Sequence, residues 1–256
     1  MRLNHRLDGD EGAPVLMLSC SLATSLELWD ENVAALSTRY RILRYDHRGH
    51  GHSPVPDGPY TVEELAEDAL GLLDELGLER VAFCGLSLGG AVGMALALQA
   101  PERIERLILC CTSANFAPPK KWIDRARVAR ADGLEPLVEA TLERWFTPAF
   151  RERSPEAVAR LREQILATPA EGYAACCEAL AVWDVRGRLS PIAADTLVIA
   201  AADDPSTPPE ELAAIAREIR GSELVLVPEA AHLVSVEQPA AFAAAVLAEA
   251  RLEETG

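Results

Sequence analysis

The chain is short of several things, and each shortage closes off a class of function. No apolar stretch approaches the roughly 20 residues that a membrane-spanning helix needs. The first residues, MRLNHRLDGD, lack the apolar core of a signal peptide. No membrane partner is expected, and the cytoplasm is the expected location. Positive charge is scarce: 24 Lys and Arg face 40 Asp and Glu, a net charge of −16. Such a surface repels polyphosphate, so no nucleic-acid partner is expected. Small anions are another matter, because one local cation outweighs a distant field screened by salt. The six cysteines (20, 84, 110, 111, 176 and 177) have no metal-ligand spacing and read as reduced, mostly buried thiols. Histidine is rare, with five in the chain: His5, His47, His50, His52 and His232. No internal repeat or low-complexity linker is visible, and 256 residues suffice for one large domain.

What is present is an alternation of short apolar runs and helical patterns. The runs predict strands at Arg2–Arg6, Pro14–Ser19, Arg41–Tyr45, Val81–Leu86, Arg106–Cys111, Thr196–Ala201 and Leu224–Val227. Helices are expected at Asp30–Ser37, Val62–Leu76, Gly89–Gln99, Pro209–Ile219 and Pro239–Ala250, with a polar tail at Arg251–Gly256. This order implies an α/β fold, a mostly parallel sheet with helices on both faces. The alternation breaks between about Pro118 and Leu189, where only helical patterns occur: Ile123–Ala131, Glu135–Trp145, Pro155–Ala167 and Gly172–Val182. The expected organisation is a core of residues 1–117 and 190–256 with a helical cap, 118–189, over the strand ends where such sheets bind ligands.

The motif with most chemical content is Gly85-Leu86-Ser87-Leu88-Gly89. It lies between an apolar strand pattern and a helix rich in small residues, the setting of a nucleophile elbow. A serine hydroxyl there needs a base, and His232 lies in the loop after the last strand. The base needs an orienting acid. In the loop Ala202-Asp-Asp-Pro-Ser-Thr-Pro-Pro209 both Asp203 and Asp204 qualify, against a turn and helix N-cap in which Thr207 or Asp204 caps the next helix. Backbone amides of Leu88 and, after the second strand, of Leu22 are candidates for an oxyanion hole.

Three histidines cluster in Tyr45-Asp-His-Arg-Gly-His-Gly-His-Ser53. Close histidines can share a metal. The competing reading is a glycine-punctuated turn whose side chains bond its own backbone, and no fourth ligand is evident. No cofactor is expected.

Along nearly its whole length the chain resembles the α/β-hydrolase family, and within it the 3-oxoadipate enol-lactonases. The resemblance rests on Ser19-Cys-Ser-Leu-Ala-Thr24 with Leu28-Trp-Asp30, and on Arg44–Ser53 with Gly58-Pro-Tyr-Thr61. It continues in Arg144-Trp-Phe-Thr-Pro148, Gly172-Tyr-Ala-Ala-Cys-Cys177 and Asp204-Pro-Ser-Thr-Pro-Pro209. In the last motif the acid directly precedes proline, which selects Asp204. The chain departs from the pattern at Ala23, where the lactonases usually have glycine, and at Cys20, often asparagine. The resemblance implies hydrolysis of a carboxylated enol-lactone in aromatic catabolism, without a fused decarboxylase. A small lactone or ester bearing a carboxylate is the expected partner. Arg144 is a candidate for gripping that carboxylate, against a solvated arginine on an amphipathic helix. Trp29 and Trp145 are candidates for the pocket wall, against simple core residues. Rival readings are a general carboxylesterase or perhydrolase using the same triad, and a binding protein on the same scaffold.

Overall fold

The apolar runs pair into a single seven-stranded sheet in the computed structural model, which describes residues 1–248. The strands are β1 (His5–Asp8), β2 (Val15–Ser19), β3 (Arg41–Tyr45), β4 (Val81–Leu86), β5 (Ile104–Cys110), β6 (Asp195–Ala201) and β7 (Glu223–Val227). Their order is β1-β3-β2-β4-β5-β6-β7. β1 runs antiparallel to β3, and every other pairing is parallel. β2 and β4, in the middle, are buried along their whole length, as continuous apolar runs require.

Several strand boundaries differ from expectation by one to three residues, two of them for identifiable reasons. β1 starts at His5 rather than Arg2 because Asn4 is used elsewhere: its amide donates to Ser53 Oγ and its side chain to Asp46. β5 stops at Cys110 because Cys111 adopts φ 42°, which turns the chain out of the ladder.

The helices are α1 (Asp30–Leu36), α2 (Val62–Glu75), α3 (Leu88–Gln99), α4 (Pro119–Asp132), α5 (Val138–Trp145), α6 (Pro148–Arg153), α7 (Pro155–Ala167), α8 (Ala170–Val182), α9 (Pro209–Glu218), α10 (Val234–Glu237) and α11 (Pro239–Leu247). α2 begins on a reciprocal cap, Thr61 accepting from the Glu64 amide while Glu64 accepts from the Thr61 amide. α3 is apolar all round and buried against the sheet. The expected end of the last helix at Ala250 and the tail Arg251–Gly256 lie outside the described residues.

Helices α4–α8 all fall between the adjacent strands β5 and β6. The two ends of this segment are tied where it leaves the sheet, by a bridge between Asn115 and Asp184 and by Asn115 Nδ2 donating to the Trp183 carbonyl at 3.3 Å. It also meets the C-terminal part of the chain. The Leu233 amide donates to the Trp145 carbonyl at 3.1 Å, and buried Glu237 accepts from the amides of Thr147 and Ala231 at 3.2 and 2.9 Å. Among the described residues no helix is long and apolar enough to cross a membrane.

Candidate active site

Ser87 stands between β4 and α3 with φ 57° and ψ −112°, a left-handed conformation that L-residues adopt at a cost. The neighbouring strand holds it there: its amide donates to the Cys110 carbonyl at 3.0 Å and its carbonyl accepts from Thr112 Oγ1 at 2.7 Å. The flanking glycines are needed for close approach. A Cβ on Gly85 would lie 2.0 Å from the Gly89 carbonyl oxygen, and one on Gly89 would lie 2.3 Å from that of Ser19. Strand, turn and helix are thus in backbone contact, and the serine is pushed to the top of the sheet.

His232 and Asp204 meet in the loops after β7 and β6. His232 Nδ1 is 2.8 Å from Asp204 Oδ2, and both residues are buried. Asp204 also accepts from the amides of Ser206 and Thr207 at 2.7 and 3.2 Å, and from Thr207 Oγ1 at 2.6 Å. Burial works to raise the Asp204 carboxyl, but the His232 charge and these hydrogen bonds outweigh it and hold the pKa below the usual value. Asp203 is exposed. Of the two aspartates, Asp204 is therefore the one beside the histidine, and its turn-forming bonds coexist with that contact.

The loop after β2 forms a turn, closed by Thr24 donating through its amide and hydroxyl to the Ser21 carbonyl at 3.3 and 2.8 Å. Among the described residues neither the Leu22 amide nor the Leu88 amide meets an acceptor. For Leu88 the reason is positional, since it opens α3 and has no helical carbonyl behind it.

Ser87, His232 and Leu22 line one narrow cavity. Helices α4, α5 and α8 roof it with Trp122, Trp145 and Tyr173, and Phe116 comes from the segment before α4. Three cations enter the same space: Lys121, Arg125 and Arg144. No carboxylate lines it, and none of the three forms an ion pair among the described residues. Lys121 and Arg125 both lie over the Trp122 indole, 5.1 and 4.9 Å from the ring centroid, while Arg144 donates to Thr141 Oγ1 at 3.1 Å. Burial, then the charges of Arg125 and Arg144, pushes the Lys121 ammonium down to about 8. Burial followed by Arg125 pushes Arg144 down to about 10. The three cations thus disfavour one another's charge, and no carboxylate among the residues that line the cavity offsets them.

Arg144 and Trp145 are thus placed on the cavity, and Trp29 is not. Trp29 is fully buried against Phe242 of α11, with ring centroids 5.7 Å apart, because a 3₁₀ turn over Leu26–Trp29 aims it inward. Lys121, Trp122, Arg125, Phe116 and Tyr173 escaped sequence reasoning. The available signal was Lys121 and Arg125 at i, i+4 with a tryptophan between them. A larger, more open cleft between α7 and the loop after β2 contains neither Ser87 nor His232.

The histidine cluster divides. His47 and His50 are buried, and His52 is exposed. His47 Nε2 reaches the Cys20 carbonyl at 3.1 Å and Ser19 Oγ at 3.2 Å, whereas His50 Nε2 faces the Ala23 amide at 3.0 Å. Burial pushes both rings down, His47 to about 3 and His50 to about 4, so they are neutral acceptors and donors of the turn.

Comparison with known proteins finds relatives along nearly the whole chain. The chain is 42% identical to 3-oxoadipate enol-lactonase 2 of Acinetobacter baylyi, over 95% of this chain and 91% of that protein. The solved enol-lactonase of Burkholderia xenovorans superposes with a TM-score of 0.93 at 43% identity, over 95% of this chain and 94% of that one. A solved hydrolase of Pseudomonas aeruginosa gives 0.92 at 46% identity, over 96% and 92%. The profile of the α/β hydrolase fold matches residues 13–239. That span takes in β2 to β7, both candidate loops and the helices between β5 and β6, and the chain belongs to the α/β-hydrolase-fold family.

Proposed function

We propose that this chain hydrolyses a carboxylated enol-lactone, 3-oxoadipate enol-lactone, to the open-chain oxo-dicarboxylate. The observation that carries the reading is the carboxylate-free cavity in which Lys121, Arg125 and Arg144 stand unpaired beside Ser87 and His232. A simple esterase for neutral substrates has no use for three cations in a small buried space, whereas a substrate carboxylate gives them an anion. The names of the two enol-lactonases compared above point the same way.

In this reading Ser87 Oγ attacks the lactone carbonyl while His232 Nε2 takes the hydroxyl proton, and Asp204 steadies the resulting imidazolium through Nδ1. The Leu22 and Leu88 amides, free of other acceptors, receive the developing oxyanion. Collapse breaks the bond to the ring oxygen, which leaves as an enolate and takes the proton from His232. The enol then becomes a ketone. Water, deprotonated by the same histidine, releases the acyl group from Ser87. Residues 118–189 serve as the cap, because their helices supply the aromatic roof and all three cations. Six free, buried cysteines fit a reducing compartment such as the cytoplasm.

The test compares kcat/KM for the enol-lactone with that for p-nitrophenyl acetate. A preference for the simple ester would sink the lactonase reading. Ser87→Ala should lower turnover by about 10^4-fold or more, and an undiminished rate would remove the serine from the mechanism.

A further inference from the structure

The histidine-bearing turn after β3 takes no part in the chemistry above, yet it is the back plate of the loop that carries Leu22. Three of its side chains grip that loop at intervals. His47 holds the Cys20 carbonyl, His50 accepts the Ala23 amide, and Asp46 Oδ1 accepts the Leu26 amide at 2.6 Å. The middle grip falls on the residue under strain. Ala23 has φ 65°, the left-handed value that the third position of a type II turn demands and that alanine disfavours. A flip of the Leu22–Ala23 peptide would relieve this strain by giving Ala23 a negative φ. It would also turn the Ala23 amide away from His50 and change ψ of Leu22, so that the hold on the turn just after the free Leu22 amide is lost.

The hydrogen bonds define the ring that prevents this. His50 Nε2 accepts from Ala23, so the ring proton sits on Nδ1, which faces the Arg48 carbonyl at 3.3 Å. Burial keeps the ring neutral, so the acceptor is available through the working pH range.

We infer that His50 is a positioning residue for the oxyanion hole: by accepting the Ala23 amide it fixes the turn that presents the Leu22 amide to the cavity of Ser87. This rests on the acyl-transfer reading above. It accounts for a histidine in a place where a metal site was one expectation. It also explains how alanine is tolerated at a left-handed position that suits glycine, since glycine needs no such hold to remain left-handed.

The experiment compares His50→Leu, which has no acceptor, with His50→Gln, whose side-chain oxygen can reach the same amide. The readouts are kcat and KM for the enol-lactone, kcat for p-nitrophenyl acetate, thermal stability, and inhibition by butylboronic acid. That probe forms a tetrahedral anion on Ser87 Oγ. One oxyanion donor is worth about 100- to 1000-fold in kcat, so a misdirected one should cost about 10- to 100-fold. His50→Leu should lose that factor on both substrates, weaken boronate inhibition in parallel, and leave KM for the lactone unchanged. His50→Gln should recover most of it. Should the leucine variant fail to fold, the smaller His50→Ala, which also lacks an acceptor, takes its place against His50→Gln. Wild-type kcat and boronate affinity without an acceptor would overturn the inference. Equal impairment of the Gln variant and its acceptor-less partner, tracking stability alone, would overturn it too. Ser87→Ala is measured beside them, and its survival would instead overturn the acyl-transfer reading.

Discussion

Three unpaired cations in one cavity make a quantitative demand on the substrate. Consider Lys121, flanked by Arg125 and Arg144, with Asp204 and Glu211 as the acids whose fields reach it. Burial and the two guanidinium charges disfavour the ammonium and bring it down to about 8. Below that pH all three cations are charged, and as pH rises through it one of the three is lost. A unit charge about 5 Å from the substrate carboxylate, at an effective dielectric of about 20 to 80, is worth about 1 to 3 kcal/mol. That is roughly 5- to 150-fold in affinity. KM for the enol-lactone should therefore be low below pH 8 and climb above it. The limb should be displaced upward in the complex, because a bound carboxylate favours the ammonium. Lys121→Met should raise KM by the same factor at pH 7 and abolish the limb. Steady-state assays from pH 6.5 to 9.5, with p-nitrophenyl acetate as a neutral control, carry the test. Equal KM values for variant and wild type, or an equal change for the neutral ester, would refute the anion-site argument. The sign for the free protein is opposite: the lysine pKa is depressed on folding, so the folded state gains stability as pH rises from 8 toward the ordinary lysine range.

Asp204→Asn should lower kcat by about 10^3- to 10^4-fold, because the amide cannot support the imidazolium. Exposed Asp203→Asn should stay near wild type, and a larger loss at 203 would reverse the assignment. Gly89→Ala places a Cβ 2.3 Å from the Ser19 carbonyl oxygen, so it should cost about 1–3 kcal/mol or more. Gly71→Ala on α2, where a Cβ meets nothing within 4 Å, should gain up to about 1 kcal/mol. Denaturant midpoints check both, and equal stability of the two variants would contradict the close-approach account of the elbow.

The centre of the sheet was legible in the sequence because burial on both faces leaves an uninterrupted apolar run: β4 coincides with its predicted span. The short helices α6 and α10 were not legible, since six and four residues carry too little periodicity. Ser87 and His232 could be read because their positions relative to strands carry the meaning. The choice between Asp203 and Asp204 could not be made from local chemistry, as both are aspartates in one turn. It needs the burial and the 2.8 Å contact that only the tertiary fold supplies. Lys121 and Arg125 failed to declare themselves for a similar reason. In sequence they belong to a basic amphipathic helix that looks solvated, and only its placement over the sheet edge turns one face into a cavity wall. Trp29 misled in the opposite sense: an aromatic beside a candidate loop suggests a pocket, but its 3₁₀ turn points it at Phe242.

Strain shows where the fold departs from local preference. Four non-glycine residues among those described have left-handed backbones: Ala23, Ser87, Cys111 and Glu229. They follow β2, β4, β5 and β7 respectively, always at the C-terminal edge of a parallel strand. At about 1–2 kcal/mol each, they cost about 4–8 kcal/mol together, comparable with the net stability of about 5–15 kcal/mol typical of a domain. Such conformations persist only where neighbours over-determine them, and here each is tied to another element. Ser87 is bonded to Cys110 and Thr112, Ala23 to His50, Cys111 to the Ile199 carbonyl, and Glu229 to Gln238. Alanine, serine, cysteine and glutamate share no propensity that would flag these places. What they share is an edge where strands must release the chain abruptly, so that a hydroxyl, a free amide and an imidazole converge on one small volume. The strain is therefore a property of that strand edge, and two of the residues that bear it, Ala23 and Ser87, line the cavity.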